Sequence, residues 1–228
     1  KLLEHHKVDY LGVAFADEGI ALKNQGIQLP IMVLNPENSS FSAIINYQLE
    51  PEIYSLKGLR AFLKIAAQKE LKHFPIHIKL DTGMHRLGFE ADTIDELIAT
   101  LKGNENIKVQ SILSHLATSD DVMQEGFAKA QINLFEKMSS KLMDELQIKP
   151  IRHILNTSGI SNFQDSQYDM VRLGIGLYGF SNDLEEQKRL ENVGTLKSII
   201  SQIRTISSEE SVGYGRKFIA NRETRVAT

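Results

Sequence analysis

Short apolar runs alternate with amphipathic stretches along most of the chain. Seven runs are rich in Val, Ile and Leu and are continuously apolar, which is typical of strands covered on both faces in a parallel sheet. We predict strands at Tyr10–Phe15, Ile31–Asn35, Leu49–Ser55, Ile76–Asp81, Val109–Leu116, Arg152–Thr157 and Met170–Tyr178. The stretches between them have the apolar spacing of helices.

Two of these helices have clear apolar stripes, which we interpret as core packing. The stripes are Leu59, Phe62, Leu63 and Ala66 in one helix, and Phe127, Ala130, Leu134, Met138 and Leu142 in the other. Strict strand–helix alternation predicts an α/β fold, a β/α (TIM-like) barrel, with seven of its eight strands present. Because Lys1 opens a segment that looks like the inside of a helix, we expect the first strand to precede it. We therefore interpret the chain as an internal fragment of a longer protein.

The pattern changes after Gly179. The long β-branched run from Leu196 to Ile206 is followed by Ser/Glu turn residues, a Gly-Tyr-Gly and a strand-like end at Thr224–Thr228. Such a helix-poor region is typical of a mostly β domain. We predict a barrel domain over residues 1–190 and the start of a C-terminal β domain over residues 191–228.

Composition narrows the function classes. The chain has 228 residues, 42% hydrophobic and 24% charged, with a formal net charge of -3 and no long Lys/Arg run, so nothing indicates nucleic-acid binding. No apolar run has the length of a bilayer span, so we expect no membrane association. The lack of Cys excludes disulfides, thiolate metal sites and a Cys nucleophile, and fits a cytoplasmic protein. Six histidines lack metal-like spacing and are interpreted as surface or core residues, so we expect no metal: His5, His6, His73, His77, His85 and His153.

The segment Ile76–Phe89 places polar groups where a buried strand should end. Lys79 lies in the strand, Gly83 turns the chain, and Arg86 follows the turn. Because sites of β/α barrels are built at the carboxyl ends of strands, this arrangement suggests a receptor for an anion or a phenolate. A surface turn with two solvated charges is the alternative.

Three later segments have the same character: Ser114–Asp121, Asn156–Gly159 and Val171–Gly176. Arg172 lies in an apolar run and needs a partner, either a structural carboxylate or a bound group. A hydroxyl-rich turn followed by Gly-x-Gly offers donors to a phosphate, which barrels often bind after their last two strands. Together the four strand ends predict a phosphate-bearing ligand.

The run Ile78–Gly88 resembles the signature of alanine racemase, a pyridoxal-phosphate enzyme of fold type III. The resemblance continues through Leu11–Ala14, Ser114–Asp120, Arg172–Gly179 and Val212–Gly215. It implies a barrel joined to a β domain, pyridoxal 5'-phosphate as cofactor and a head-to-tail homodimer with shared active sites. The implied reaction is the interconversion of L- and D-alanine, which supplies D-alanine for peptidoglycan in the bacterial cell wall.

The resemblance also implies roles for individual residues. Arg172 would meet the pyridine nitrogen, and Tyr214 would be a catalytic base that reaches into the partner's site with support from His115 and Arg172. Arg86 would bind the phenolic oxygen, and Lys79 matches a position that is often carbamylated.

The phosphate would be bound by Asn156 and Thr157, and by the backbone of Gly174 and Ile175. Thr157 stands where the family commonly has Ser, so the hydroxyl is kept. Asp120 would line the substrate entrance.

One family feature is absent from these residues, namely the Schiff-base Lys in its Lys-Ala-Asp-Ala-Tyr-Gly type of motif. We therefore expect this polypeptide by itself to be inactive. The alternatives are another fold type III racemase, a barrel-only pyridoxal-phosphate homeostasis protein, or a non-catalytic binding module. The presumed β domain with Tyr214 argues against the barrel-only protein.

Overall fold

The computed structural model describes residues 1–228. The chain divides into two compact units, Lys1–Glu191 and Asn192–Thr228. Each unit is described by itself.

The first unit contains a six-stranded sheet whose strands follow one another in chain order. They are β1 Leu11–Val13, β2 Ile31–Val33, β3 Glu50–Ile53, β4 Phe74–Lys79, β5 Ile107–Leu113 and β6 Ile151–His153. Every neighbouring pair is parallel, with helical segments between the strands. This is the strand–helix arrangement of an incomplete β/α barrel, so the predicted fold class is confirmed.

The helices differ in length and most of them lie between strands. They are α1 Leu2–His5, α2 Ala16–Asn24, α3 Phe41–Asn46, α4 Leu56–Gln68, α5 Ile94–Leu101, α6 Glu125–Leu146, α7 Thr157–Asn162 and α8 Leu184–Gln187. Helix α4 begins where the Ser55 hydroxyl accepts a hydrogen bond from the Gly58 amide at 3.1 Å, a typical N-cap. None of these helices reaches the length and apolar character that crossing a membrane would require.

The core lies between the helices and the outer face of the sheet. Ile76 and Ile78 of β4 are fully buried in it, together with Leu59 and Phe62 of α4. Because side chains alternate across a strand, His77 and Lys79 face the other side. The sheet therefore has an apolar face toward the helices and a polar inner face.

The stripe predicted for α6 is wrong at its N-terminal end. Phe127 is 43% exposed, whereas Ala128 and Phe135 are fully buried. Gln131 is also buried, and its side chain accepts from the Ala117 amide at 2.9 Å. Gln131, which hydrogen-bonds the neighbouring loop, thus occupies an inward-facing position of α6. The apolar pattern alone does not indicate this.

The first six predicted strands are confirmed with shifted ends, but the seventh, Met170–Tyr178, is wrong. Arg172 lies in an irregular segment, and Ile175–Tyr178 form a 3-10 helix. The amide of Gly174 donates to the hydroxyl of Thr157 at 3.0 Å instead of to a strand carbonyl. The Thr157 hydroxyl therefore replaces the backbone carbonyl that would accept from this amide in a β-sheet.

The second unit consists of two antiparallel strand pairs. Strand β7, Ile203–Ile206, pairs with β10, Thr224–Ala227, and β8, Ser211–Val212, pairs with β9, Phe218–Ile219. Ala220 is the single buried residue of this unit. These strands are consistent with the small β region expected after the barrel.

A sharp turn follows β4 and begins the site described below. The Asp81 carboxylate accepts hydrogen bonds from the amides of Gly83, Met84 and His85 at 2.9, 3.0 and 3.1 Å. The chain then returns to pair with the strand it left. A Cβ atom at Gly88, which has φ +141°, would lie 2.4 Å from the Asp81 nitrogen.

We expect Gly88→Ala to lower the free energy of unfolding by about 3 kcal/mol or more, because the new methyl group meets backbone that cannot move away. Gly103→Ala is the matched control, since Gly103 also has a positive φ, +73°, but open space around it. That change should cost about 1 kcal/mol. Urea denaturation of both variants measures the difference, and equal costs would contradict the steric argument.

Candidate active site

The polar strand ends meet at one edge of the sheet, which we call the rim. Lys79 ends β4, Ser114 and His115 follow β5, and Asn156 and Thr157 follow β6. Carboxyl ends of parallel strands lie at the same edge, so residues far apart in the chain become neighbours there.

Arg172 is held at the rim by a set of acceptors. Its Nη1 atom donates to Nδ1 of His153 at 2.7 Å and to the carbonyl of the same residue at 3.2 Å. Its Nη2 atom donates to the carbonyls of Ser114 at 2.7 Å and Ile154 at 3.1 Å. No carboxylate forms an ion pair with it, so the alternative of a simple structural salt bridge does not hold.

The guanidinium remains charged despite its surroundings. Burial lowers the pKa of Arg172 to about 10, and the charge of Glu52 opposes that shift. A group with this pKa is protonated at neutral pH. It therefore acts as a hydrogen-bond donor and not as an acid.

His115 lies beside this guanidinium, with Nδ1 3.3 Å from Nη2 of Arg172. A guanidinium only donates, so Nδ1 must accept and the ring proton is assigned to Nε2. Burial, followed by the charges of Arg172, Arg86 and Lys79, lowers the pKa of His115 to about 4. The structure thus brings two of the predicted residues together and keeps the imidazole neutral.

Lys79 pairs with a residue that the sequence analysis missed. Its Nζ atom donates to Oε1 of Glu52 at 2.8 Å, and Glu52 is fully buried. The available signal was the repeat of Glu50 and Glu52 in a predicted buried strand, since two charges at alternate positions share one face.

Arg86 belongs to the turn after β4 and its side chain forms no hydrogen bond within the protein. It lines a small cavity together with Lys79, Ser114 and His115. An exposed cation free of protein partners is able to bind an anionic group that enters this cavity.

A second corner of the rim is built around Thr157, the first residue of α7. Its hydroxyl oxygen accepts from the amides of Gly174 at 3.0 Å and Gly176 at 3.3 Å. A Cβ atom at Gly176 would lie 2.8 Å from Cγ2 of Thr157, so this close approach requires glycine. Asn156 caps α7 by accepting from the Gly159 amide at 3.0 Å, and Ile175 begins the 3-10 helix.

Two predicted residues lie outside this cluster of contacts. Tyr214 belongs to the second unit, where it follows Gly213, φ +74°, and its side chain is fully exposed. Asp120 is exposed and accepts from the Asn182 side chain at 2.6 Å.

A buried chain of hydrogen bonds runs from Arg172 across the inner face of the sheet. Because Nδ1 of His153 accepts from Arg172, its Nε2–H donates to the Ser111 hydroxyl at 3.0 Å. That hydroxyl then donates to Nδ1 of His77 at 2.7 Å, and Nε2–H of His77 donates to Glu50 at 2.9 Å. One charged residue therefore fixes the tautomers of two buried histidines.

The far end of this chain is Tyr10, whose hydroxyl donates to Oε2 of Glu50 at 3.3 Å. Burial and the charge of Glu50 raise the pKa of Tyr10 to about 12. The sequence analysis did not predict this connection, because it joins Tyr10, just before β1, to residues of β3, β4, β5 and β6 only after the strands pair.

A group of possible metal ligands was also not anticipated. Ligand atoms of Asp81, His85 and Glu90 lie within 4.8 Å of one another. One Asp81 oxygen already accepts three backbone amides of the turn, so this group stabilises the turn.

Comparisons with known proteins agree along the chain. The family described as "Alanine racemase, N-terminal domain" matches residues 1–182, and "Alanine racemase, C-terminal domain" matches residues 193–228. Alanine racemases of Helicobacter acinonychis and Clostridium novyi are 35% and 36% identical over 96% of this chain, which covers 60% and 57% of them. A solved alanine racemase of Clostridium difficile 630 has a TM-score of 0.77 at 34% identity, over 99% of this chain and 60% of that one. The chain thus spans about 60% of the length of these relatives.

We expect Ser111→Ala to lower the free energy of unfolding by about 2–4 kcal/mol, because it leaves ring nitrogens of His77 and His153 buried without partners. Ser139→Ala is the matched control. Ser139 is equally buried, but its hydroxyl donates only to the Glu136 carbonyl of its own helix at 3.3 Å. Urea denaturation compares the two, and equal losses would contradict the proposed chain.

The pKa of His115 predicts a pH dependence of stability. An unfolded histidine titrates near pH 6.5, so between there and about pH 4 the unfolded state binds a proton that the folded state does not. The free energy of unfolding should therefore fall as the pH falls through this window, by up to about 3 kcal/mol. Urea denaturation at several pH values measures this slope. His115→Gln should make the slope shallower without removing it, because burial also lowers the pKa of His153 well below its usual value. An unchanged slope in that variant would contradict the assignment.

Proposed function

The chain belongs to the alanine racemase family, whose members depend on pyridoxal 5'-phosphate, and we propose that it forms part of an enzyme that interconverts L- and D-alanine. The observation that supports this most directly is the contact between Arg172 and His115 at the rim. This contact places a charged guanidinium next to a neutral imidazole, at the same rim as the glycine-containing corner around Thr157.

The residues at the rim fit the cofactor. A phosphate requires hydroxyl and amide donors that it can approach closely, and Thr157 lies against the Gly174–Gly176 segment so closely that a Cβ atom at Gly176 would not fit. We propose that Thr157, Asn156 and the backbone of Gly174 and Ile175 surround the phosphate. Arg172 would contact the ring nitrogen and Arg86 the phenolic oxygen.

When bound, the cofactor supplies an electron sink for the charge that develops as the α-proton leaves. Arg172 would modulate that sink, because a guanidinium would hydrogen-bond the ring nitrogen without giving up its proton. A weaker sink restricts side reactions such as transamination. The acceptors around Arg172 fix the position of its guanidinium at the rim, which supports this role.

Tyr214 is proposed to be the base that removes the proton from L-alanine, reaching the site of a partner subunit. A free phenol ionises only near pH 10, so its anion needs a nearby donor. His115 is suited to this, since its Nδ1 accepts from Arg172 and its Nε2–H remains to donate. The pair would stabilise the phenolate without transferring a charge to the imidazole.

The wider assignment follows from the family. We propose a cofactor-binding barrel domain over residues 1–190, the start of a β domain over 191–228, and a cytoplasmic homodimer with shared active sites that supplies D-alanine for peptidoglycan. Asp120 would line the substrate entrance. No Lys of residues 1–228 lies in the Schiff-base motif of the family, so we expect this polypeptide alone not to racemise alanine. The C-terminal match at residues 193–228 favours a racemase over a barrel-only protein.

In the complete racemase, we expect Tyr214→Phe to lower the rate of D-alanine formation from L-alanine at least 100-fold, about the contribution of a general base. Tyr47→Phe is the control, because Tyr47 is a 40% exposed tyrosine that follows α3 away from the rim. It should retain the wild-type rate. Coupled D-alanine detection measures both variants, and a Tyr214 variant within threefold of wild type would disprove the assignment.

A further inference from the structure

Glu52 is the residue whose side chain has a buried polar atom without a hydrogen-bond partner. Its carboxylate is fully buried on β3, and one oxygen, Oε1, accepts from Nζ of Lys79 at 2.8 Å. The other oxygen, Oε2, is buried and has no hydrogen-bond partner. Leaving a buried carboxylate oxygen without a donor is costly, so a native protein keeps such a group where it has a purpose.

The surroundings of Glu52 are cationic. Burial raises the pKa of the Glu52 carboxyl, and the charges of Lys79, Arg172 and Arg86 oppose that shift. His115 adds no charge, because its pKa is about 4. The three cations favour the ionised form of the Glu52 carboxyl, and the 2.8 Å contact of Nζ with Oε1 favours the ammonium form of Lys79.

We propose that Glu52 is a positioning residue that holds Lys79 as an ammonium ion and keeps it unmodified. The proposal deepens the proposed function, on which it rests for the role of Arg86 toward the cofactor. Glu52 then supplies from β3 the negative charge that a carbamate on Lys79 would otherwise provide. Its free oxygen Oε2 is the acceptor for Arg86 when that side chain turns toward an anionic ligand in the cavity.

The chemistry of carbamylation supports this assignment. The neutral amine attacks carbon dioxide, an N–C bond forms, and one proton is released as the carbamate anion appears. An ammonium ion has no lone pair for this attack. The product would also place a second negative charge beside Glu52, whose Oε2 already lacks a donor.

The test uses carbon-13-labelled bicarbonate and the whole chain, without cofactor or substrate. Carbon-13 NMR reports any carbamate, and Lys79→Gln identifies its position. In parallel, trace acetylation followed by peptide mass analysis measures the reactivity of the Lys79 amine. Glu52→Gln keeps the shape of the side chain and removes its charge. Glu52→Asp keeps the charge but shortens the side chain, and it takes the place of the Gln variant if that variant does not fold.

We expect no carbamate in the wild-type protein. In Glu52→Gln, the Lys79 amine should react about tenfold faster or acquire a carbamate, because losing a close opposite charge favours the neutral amine. Glu52→Asp should show the same change to a smaller extent. A wild-type carbamate that disappears in Lys79→Gln would overturn the proposal, as would Lys79 reactivity within twofold of wild type in the Glu52 variant. Racemisation is not measured, so a failure of the proposed function would leave these results unaffected.

Discussion

The charged guanidinium of Arg172 at the rim determines which atoms donate and which accept in the hydrogen bonds on the inner face of the sheet. Arg172 has no carboxylate to neutralise it and is instead surrounded by backbone carbonyls and two imidazole nitrogens. Because it only donates, every neighbour must accept, and this requirement passes through His153 and Ser111 to His77. One side chain thus influences which atoms donate and which accept hydrogen bonds several strands away.

The same charge explains the electrostatics of the candidate site. Arg172, Arg86 and Lys79 make the rim cationic, and burial, followed by these charges, lowers the pKa of His115 to about 4 and keeps it neutral. Glu52 is the fully buried carboxylate that pairs with Lys79. The excess positive charge of the rim attracts an anionic ligand. The imidazole of His115 stays neutral beside such a ligand.

Much of the fold was predictable from the sequence, because continuous Val/Ile/Leu runs indicate buried parallel strands and six of the seven were confirmed. The error at Met170–Tyr178 has a physical cause, since Thr157 takes the amide hydrogen bonds that a strand partner would have received. The structure brings Lys79, His115 and Arg172 to the same rim, although Arg172 lies in an irregular segment and not at the predicted strand end. Glu52 and His153 were not predicted, because no local pattern shows which residue of a distant strand will face them.

The sequence by itself determined the order of strands and helices and the family, because these follow from periodicity and short motifs. Only the tertiary structure decided the partners of each buried charge. Glu52 meets Lys79, and Arg172 meets His153, through strand pairing and curvature that bring separate segments within about 3 Å. Hydrogen bonds and pKa shifts depend on such distances, so the chemistry of the rim becomes defined when the sheet assembles.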